Sequence, residues 1–180
     1  MSVDYIPKYV TDAGFDLPRL LNDDFIQPIR LLYNNKHYVS AAKLLMTYID
    51  SLGFLEFGDT GENTFTKWLE TFADLKTVGV TAEELWEYRN SLLHMSNLDS
   101  RRVISGKVKR LMSYVGTLPT NIPAESKDAK YYNLFALMQA IAAACSNWII
   151  SLNKNPSKRA LFLERYKLIV SDNRLFEIEI

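Results

Sequence analysis

The stretch ELWEYRNSLLHMSN, residues 84–97, holds three side chains able to handle protons and anions: Arg89, Asn90 and His94. His94 is one of only two histidines in the chain. An imidazole titrates near pH ~6.5 and can transfer protons close to neutrality. A guanidinium is a lasting cation whose planar fork of donors fits a phosphate or a carboxylate. Asn90 and His94 are four apart, so on a helix they stand one above the other, and the amide can orient the ring or bind an anionic oxygen. Together the three can do acid–base chemistry on an anion.

The helix that must position them has a well-marked start. Thr81 and Glu84 have capping-box spacing, and Val80 with Leu85 fits a hydrophobic staple, so Thr81 is the predicted N-cap. Asn97 is a plausible stop. On a wheel, Leu85, Trp86, Tyr88, Leu92, Leu93 and Met95 share a broad apolar arc, and Glu87, Asn90, Ser91 and His94 lie opposite. Arg89 points into the apolar arc, where a guanidinium costs free energy unless it is paired or reaches past the rim. Spacing alone leaves two readings open. Either the three residues form a site, or Arg89 pairs with a carboxylate inside a bundle and His94 is a surface residue near a helix end.

The neighbouring elements read as helices. Residues 1–22 are an expected irregular lead-in, with Pro7, Gly14 and Pro18. A helix is expected over 23–35, its start blurred by Pro28. Over 37–54, Tyr38, Ala42, Leu45, Ile49 and Leu52 share a face, and Gly53 is the expected stop. Residues 64–75 put Phe65, Trp68, Leu69 and Phe72 on one stripe. The longest expected helix spans 128–152, with Leu134, Met138, Ile141, Cys145, Trp148 and Leu152 at alternating steps of four and three, the spacing of a bundle seam. A last helix over 155–170 opens with Asn155 as cap and Pro156 in its first turn. Segments 110–116 and 174–180 read as strands that could pair. The expectation is an all-α bundle in one domain, residues 1–180, with room for one small β-hairpin.

Bulk properties set bounds. The 180 residues suit one domain, with 48% apolar and 23% charged residues, a soluble globular composition. Twenty-one basic residues balance twenty-one acidic ones, so a nucleic-acid footprint must be local. Such a patch exists. No carboxylate occurs between Asp99 and Glu125, whereas Arg101, Arg102, Lys107, Lys109 and Arg110 are basic. It can hold RNA backbone, with Tyr114 stacking on a base, or be a solvated turn and strand edge. Cys145 is alone and reads as a buried, unreactive thiol. His37 has no Cys/His cluster around it, so no metal site is expected, and the seven glycines form no phosphate loop. The N-terminus lacks signal-peptide character, and the apolar run 134–150 is shorter than the ~20 residues of a membrane span, so the expected place is the cytoplasm.

Arg89-Asn90-Ser-Leu-Leu-His94 resembles the signature of the HEPN superfamily: arginine, a polar residue, a few more, then histidine on a bundle helix. The segments YVSAAKLLMTYIDSLGFLEFGD, FTKWLETFADL, GVTAEELWEYRNSLLHMSNLDSRRV and KVKRLMSYVG together resemble plasmid and bacterial HEPN proteins of the pEK-type, over roughly 36–116. The resemblance implies a homodimeric, metal-independent endoribonuclease without cofactor, of toxin–antitoxin or anti-phage systems, with an antitoxin or regulatory protein as a further partner. It assigns catalysis to Arg89, Asn90 and His94. The RNA's own 2′-hydroxyl attacks the adjacent phosphate, which needs a base, an acid and a cation. A helix C-terminus favours imidazolium, which suits His94 as acid. Each chain has one motif histidine, so acid and base would come from two subunits about a two-fold axis. Some relatives carry a tyrosine two residues after the histidine, modified by a partner nucleotidyltransferase. Ser96 stands there, and the resemblance does not extend to such a partner. The alternative is a non-catalytic HEPN module that binds a protein or nucleotide.

Overall fold

The computed structural model describes residues 6–12, 14–95 and 99–170. The described part of the expected irregular lead-in is instead built into the core. After a 3-10 turn, Ile6–Tyr9, strand β1 (Val10–Thr11) pairs antiparallel with β2 (Gly14–Phe15). Helix α1 (Leu17–Leu21) follows, capped by Asp16, whose carboxylate accepts from Arg19 N at 3.1 Å. Tyr9, Leu17, Leu20 and Leu21 are buried, and this burial holds the segment down despite its Pro and Gly. A π-turn, Asn22–Ile26, leads into α2 (Gln27–Asn34), with Pro28 in its first turn.

Helix α3 (Tyr38–Phe57) is the central element. It does not stop at Gly53 as expected. It runs on to Gly58, whose φ of 75° ends it. Gly53 has a different task. A Cβ there would lie 2.6 Å from the Thr64 carbonyl oxygen, so the bare glycine lets the start of α4 (Thr64–Phe72) press against α3.

A 3-10 turn, Leu75–Thr77, precedes α5 (Ala82–Asn90), which carries the predicted capping box: Glu84 N donates to Thr81 Oγ1 at 3.1 Å, and Thr81 N to Glu84 Oε2 at 2.8 Å. The chain then leaves α-geometry for a π-turn over Ser91–Met95. Ser96 and the expected stop at Asn97 lie outside the described residues.

Helix α6 (Arg101–Ile104) leads to β3 (Arg110–Tyr114). Its partner is β4 (Ala129–Asn133), in parallel register with Arg110 opposite Ala129. The long helix expected from 128 therefore starts later, as α7 (Leu134–Asn153), with Asn133 as cap accepting from Ala136 N at 3.0 Å. Tyr131 and Tyr132 suit a pleated, half-buried surface, and the asparagine marks where it ends. The expected strand 174–180 lies outside the described residues. Helix α8 (Pro156–Val170) closes the bundle, and Arg165 Nη1 caps α3 by donating to Leu55 O at 3.0 Å and Glu56 O at 2.6 Å.

The fold is thus mainly α, with two small two-stranded sheets among the described residues. α3, α4, α7 and α8 meet around Trp68, Trp148 and Phe162, whose rings cross edge to face at 6.2 and 5.7 Å. Of the predicted seam, Leu134, Ile141, Cys145, Trp148 and Leu152 are buried and Met138 is half-buried. α7 is long and apolar enough to cross a membrane by length and composition, longer than the run read from sequence, and this buried stripe faces the bundle.

Candidate active site around Arg89 and His94

In a straight α-helix, residues five apart are rotated by roughly 140°, which would keep Arg89 and His94 on different faces. The π-turn changes this. Each π-turn holds an extra residue, which brings positions i and i+5 nearly into line. Arg89 Nη1 accordingly lies 2.9 Å from His94 Nε2. The same Nη1 donates to Asn90 Oδ1 at 3.1 Å. The three predicted residues therefore form one connected set.

A fourth residue, Asp50 of α3, completes it. Arg89 Nε donates to Asp50 Oδ2 at 2.6 Å, and Nη2 lies 2.5 Å from the same oxygen. The guanidinium also stands over the Trp86 ring, 5.2 Å from its centroid. A carboxylate and an aromatic face thus offset the cost of an arginine in the apolar arc. The expected internal carboxylate partner exists, and it belongs to the same cluster as His94. Sequence reading did not single out Asp50. Its signal is an acid next to Ile49 in the middle of the largely apolar run 38–57.

The cluster is partly open. The Arg89 and Asp50 side chains are 19% and 28% exposed, and His94 is exposed. Burial raises the pKa of Asp50 above its ordinary value, and the guanidinium beside it and His94 pull it back only in part. Arginine can only donate, so in this contact His94 Nε2 is the accepting atom. Among the described residues, one of the five guanidinium N–H groups stays free for an incoming anion after these contacts.

Glu87 and Ser91, expected on the polar arc with His94, are buried. Ser91 Oγ donates to Glu87 O at 2.9 Å, and Ser100 Oγ donates to Glu87 Oε2 at 2.7 Å. The segment after the motif folds back over this side of α5. Arg102 joins it, 2.6 Å from Glu83 and 3.5 Å from Glu87. The basic segment is consequently much less basic than its sequence. Lys109 pairs with Glu125 at 2.6 Å, and Arg110 pairs with Asp99. Arg101 and Lys107 are exposed and have no ion pair among the described residues. None of the five bonds to Arg89, Asn90 or His94 among the described residues. No three His, Cys, Asp or Glu side chains come together there as metal ligands.

No protein-family model matches the chain, and neither does any curated protein or solved structure. The chemistry of the site rests on its own residues.

Proposed function

We propose that the chain is a metal-independent endoribonuclease of the HEPN type. The observation that carries this reading is the 2.9 Å contact between Arg89 Nη1 and His94 Nε2, made across a π-turn and backed by Asp50. A cation and an imidazole held side by side suit transfer of a phosphodiester. His94 Nε2 takes the proton from the 2′-hydroxyl as the new O–P bond forms. Arg89 meets the charge growing on the phosphorus oxygens. The P–O5′ bond breaks and the 5′-oxygen takes a proton, which a second copy's His94 supplies in a two-fold dimer. Asn90 holds Arg89 in line. The free N–H of Arg89 is the first point of attachment for phosphate, and the His94 and Asn90 contacts yield as the anion enters.

On this reading the substrate is RNA, the working form is a homodimer in the cytoplasm, and the setting is a toxin–antitoxin or anti-phage system with an antitoxin or regulatory partner. A non-catalytic module that binds a protein or nucleotide is favoured by one observation: most of the Arg89 donors are engaged within the protomer.

Incubation of purified protein with RNA in EDTA separates the two. The ribonuclease reading expects fragments ending in 2′,3′-cyclic phosphate, and loss of about 10²–10⁴-fold in rate in both His94→Ala and Arg89→Ala with the fold intact. Cleavage only with added magnesium, or His94→Ala cutting as fast as the parent, overturns it.

A further inference from the structure

A cavity of about 250 Å³ opens between α2, α3 and α7. Its walls are apolar: Ile26 and Ile29 on one side, Leu45 on the α3 side, Met138 and Ala142 along α7. Tyr48 also lines it, with its hydroxyl 3.1 Å from Cys145 Sγ inside the bundle, so only its ring remains for a ligand. Phe135, 46% exposed, stands at the opening.

Two polar groups line the cavity, Arg30 and Gln139, both exposed. Neither side chain makes a hydrogen bond or ion pair among the described residues. No carboxylate lines the cavity. The acids of the adjacent π-turn are engaged elsewhere, Asp23 with Lys8 at 3.7 Å and Asp24 with Tyr166. α7 contributes no charged residue at all. The site therefore combines an apolar interior with one uncompensated cation and one amide donor on its rim, which is complementary to an apolar chain ending in a carboxylate.

We propose that this cavity binds a free medium-chain carboxylate. An apolar cavity of 150 Å³ takes a benzene ring, so this one suits a chain of about ten carbons. The chain lies against Ile29, Leu45 and Met138, and the head accepts from Arg30 and Gln139. The proposal is independent of the ribonuclease reading.

The test is calorimetric titration of the full-length protein with decanoate, below its micelle threshold, against octanoate and decylammonium. One site per chain is expected. Octanoate should bind about tenfold more weakly, the worth of two methylenes. Decylammonium should bind at least tenfold more weakly, because its head meets Arg30. Ala142→Trp fills the cavity and should abolish binding, with circular dichroism confirming the fold. Arg30→Gln alters an exposed side chain and should remove the preference for decanoate over decylammonium. No heat with decanoate at millimolar concentration overturns the proposal, as does equal binding of the two head groups, or decanoate binding that survives Ala142→Trp. Sedimentation showing a dimer that Ala142→Trp dissociates, with no heat from decanoate, makes this face a contact between copies and overturns it too.

Discussion

Arg89 and His94 meet at 2.9 Å because the helix between them changes from α to π geometry at Ser91. The contact ties a permanent cation to the imidazole through its Nε2. Arg89 is also the link between that imidazole and Asp50, a residue 39 positions away. Replacement by lysine tests whether the fork or the charge matters. A lysine ammonium is one point charge and cannot hold Asp50, Asn90 and His94 in this arrangement. Arg89→Lys should lower single-turnover cleavage by at least about 10²-fold while melting above Arg89→Ala. Near-parental cleavage by Arg89→Lys would reduce the role of Arg89 to charge.

Asp50 sets the pH dependence of stability at the site. Its folded pKa is raised, chiefly by burial, so between the unfolded and folded values the folded state holds the extra proton. Its contribution is fully present below the unfolded carboxylate value, near ~3.8, and is lost as pH rises through the higher folded value. Asp50→Asn removes that titration and leaves Arg89 without its anion at every pH. The melting temperature of the parent relative to Asp50→Asn should therefore decline as pH rises from about 4, then level off. A parent that gains on Asp50→Asn over that window would show the ion pair outweighing burial.

The five basic residues after the motif should not contribute equally to RNA affinity. Arg102, Lys109 and Arg110 are already paired with carboxylates, whereas Arg101 and Lys107 have no carboxylate partner among the described residues. If RNA backbone crosses this segment, Arg101→Ala and Lys107→Ala should each reduce the log–log salt slope of binding by about one unit. The other three should change it less. Slopes unchanged from the parent in all five variants would assign the segment to plain surface.

Gly53→Ala should destabilise, although alanine is the better helix former by about 1 kcal/mol. The added methyl would sit 2.6 Å from the Thr64 carbonyl, a backbone atom at the start of α4 that moves only with its helix. Overpacking of this kind costs about 1–3 kcal/mol, a loss of several degrees for a chain of this size. Urea midpoints of the two proteins check it, and an unchanged or higher midpoint would mean that α4 shifts freely.

Cys145 should be silent in the folded protein. Burial pushes its thiol up to about 11, with Tyr48 opposing the shift, so almost no thiolate exists at pH 8. A disulfide reagent should label it only after denaturant is added. Stability from this group is present at neutral pH and is lost as pH rises through about 11. Rapid labelling of native protein would require the bundle to open around α7.

Much of this molecule is legible in short stretches. The capping box of Thr81 and Glu84 closes within four residues, and the seam of α7 repeats every three or four, so a window of a dozen positions contains the whole signal. The same holds for the asparagine cap at 155. Arg89, Asn90 and His94 stood out because their chemistry is out of place on an amphipathic helix.

What tertiary structure decided depends on contacts between distant positions. Nothing near Asp50 in sequence pairs it with Arg89; only the packing of α3 against α5 does. Glu87 and Ser91 look solvent-facing on a helical wheel and are buried because the segment through Ser100 and Arg102 folds over them. That fold-back also neutralises part of a segment whose composition is wholly basic. The π-turn at Ser91–Met95 has no signature in residue type, since the same letters satisfy an α-helix. Gly53 reads as a stop to local rules and proves to be a point of helix contact, because the clash it avoids is with Thr64. Short-range hydrogen bonds and periodicity are written along the chain. The partners of a charge, and the spacing of one helix from another, exist only once the core has closed.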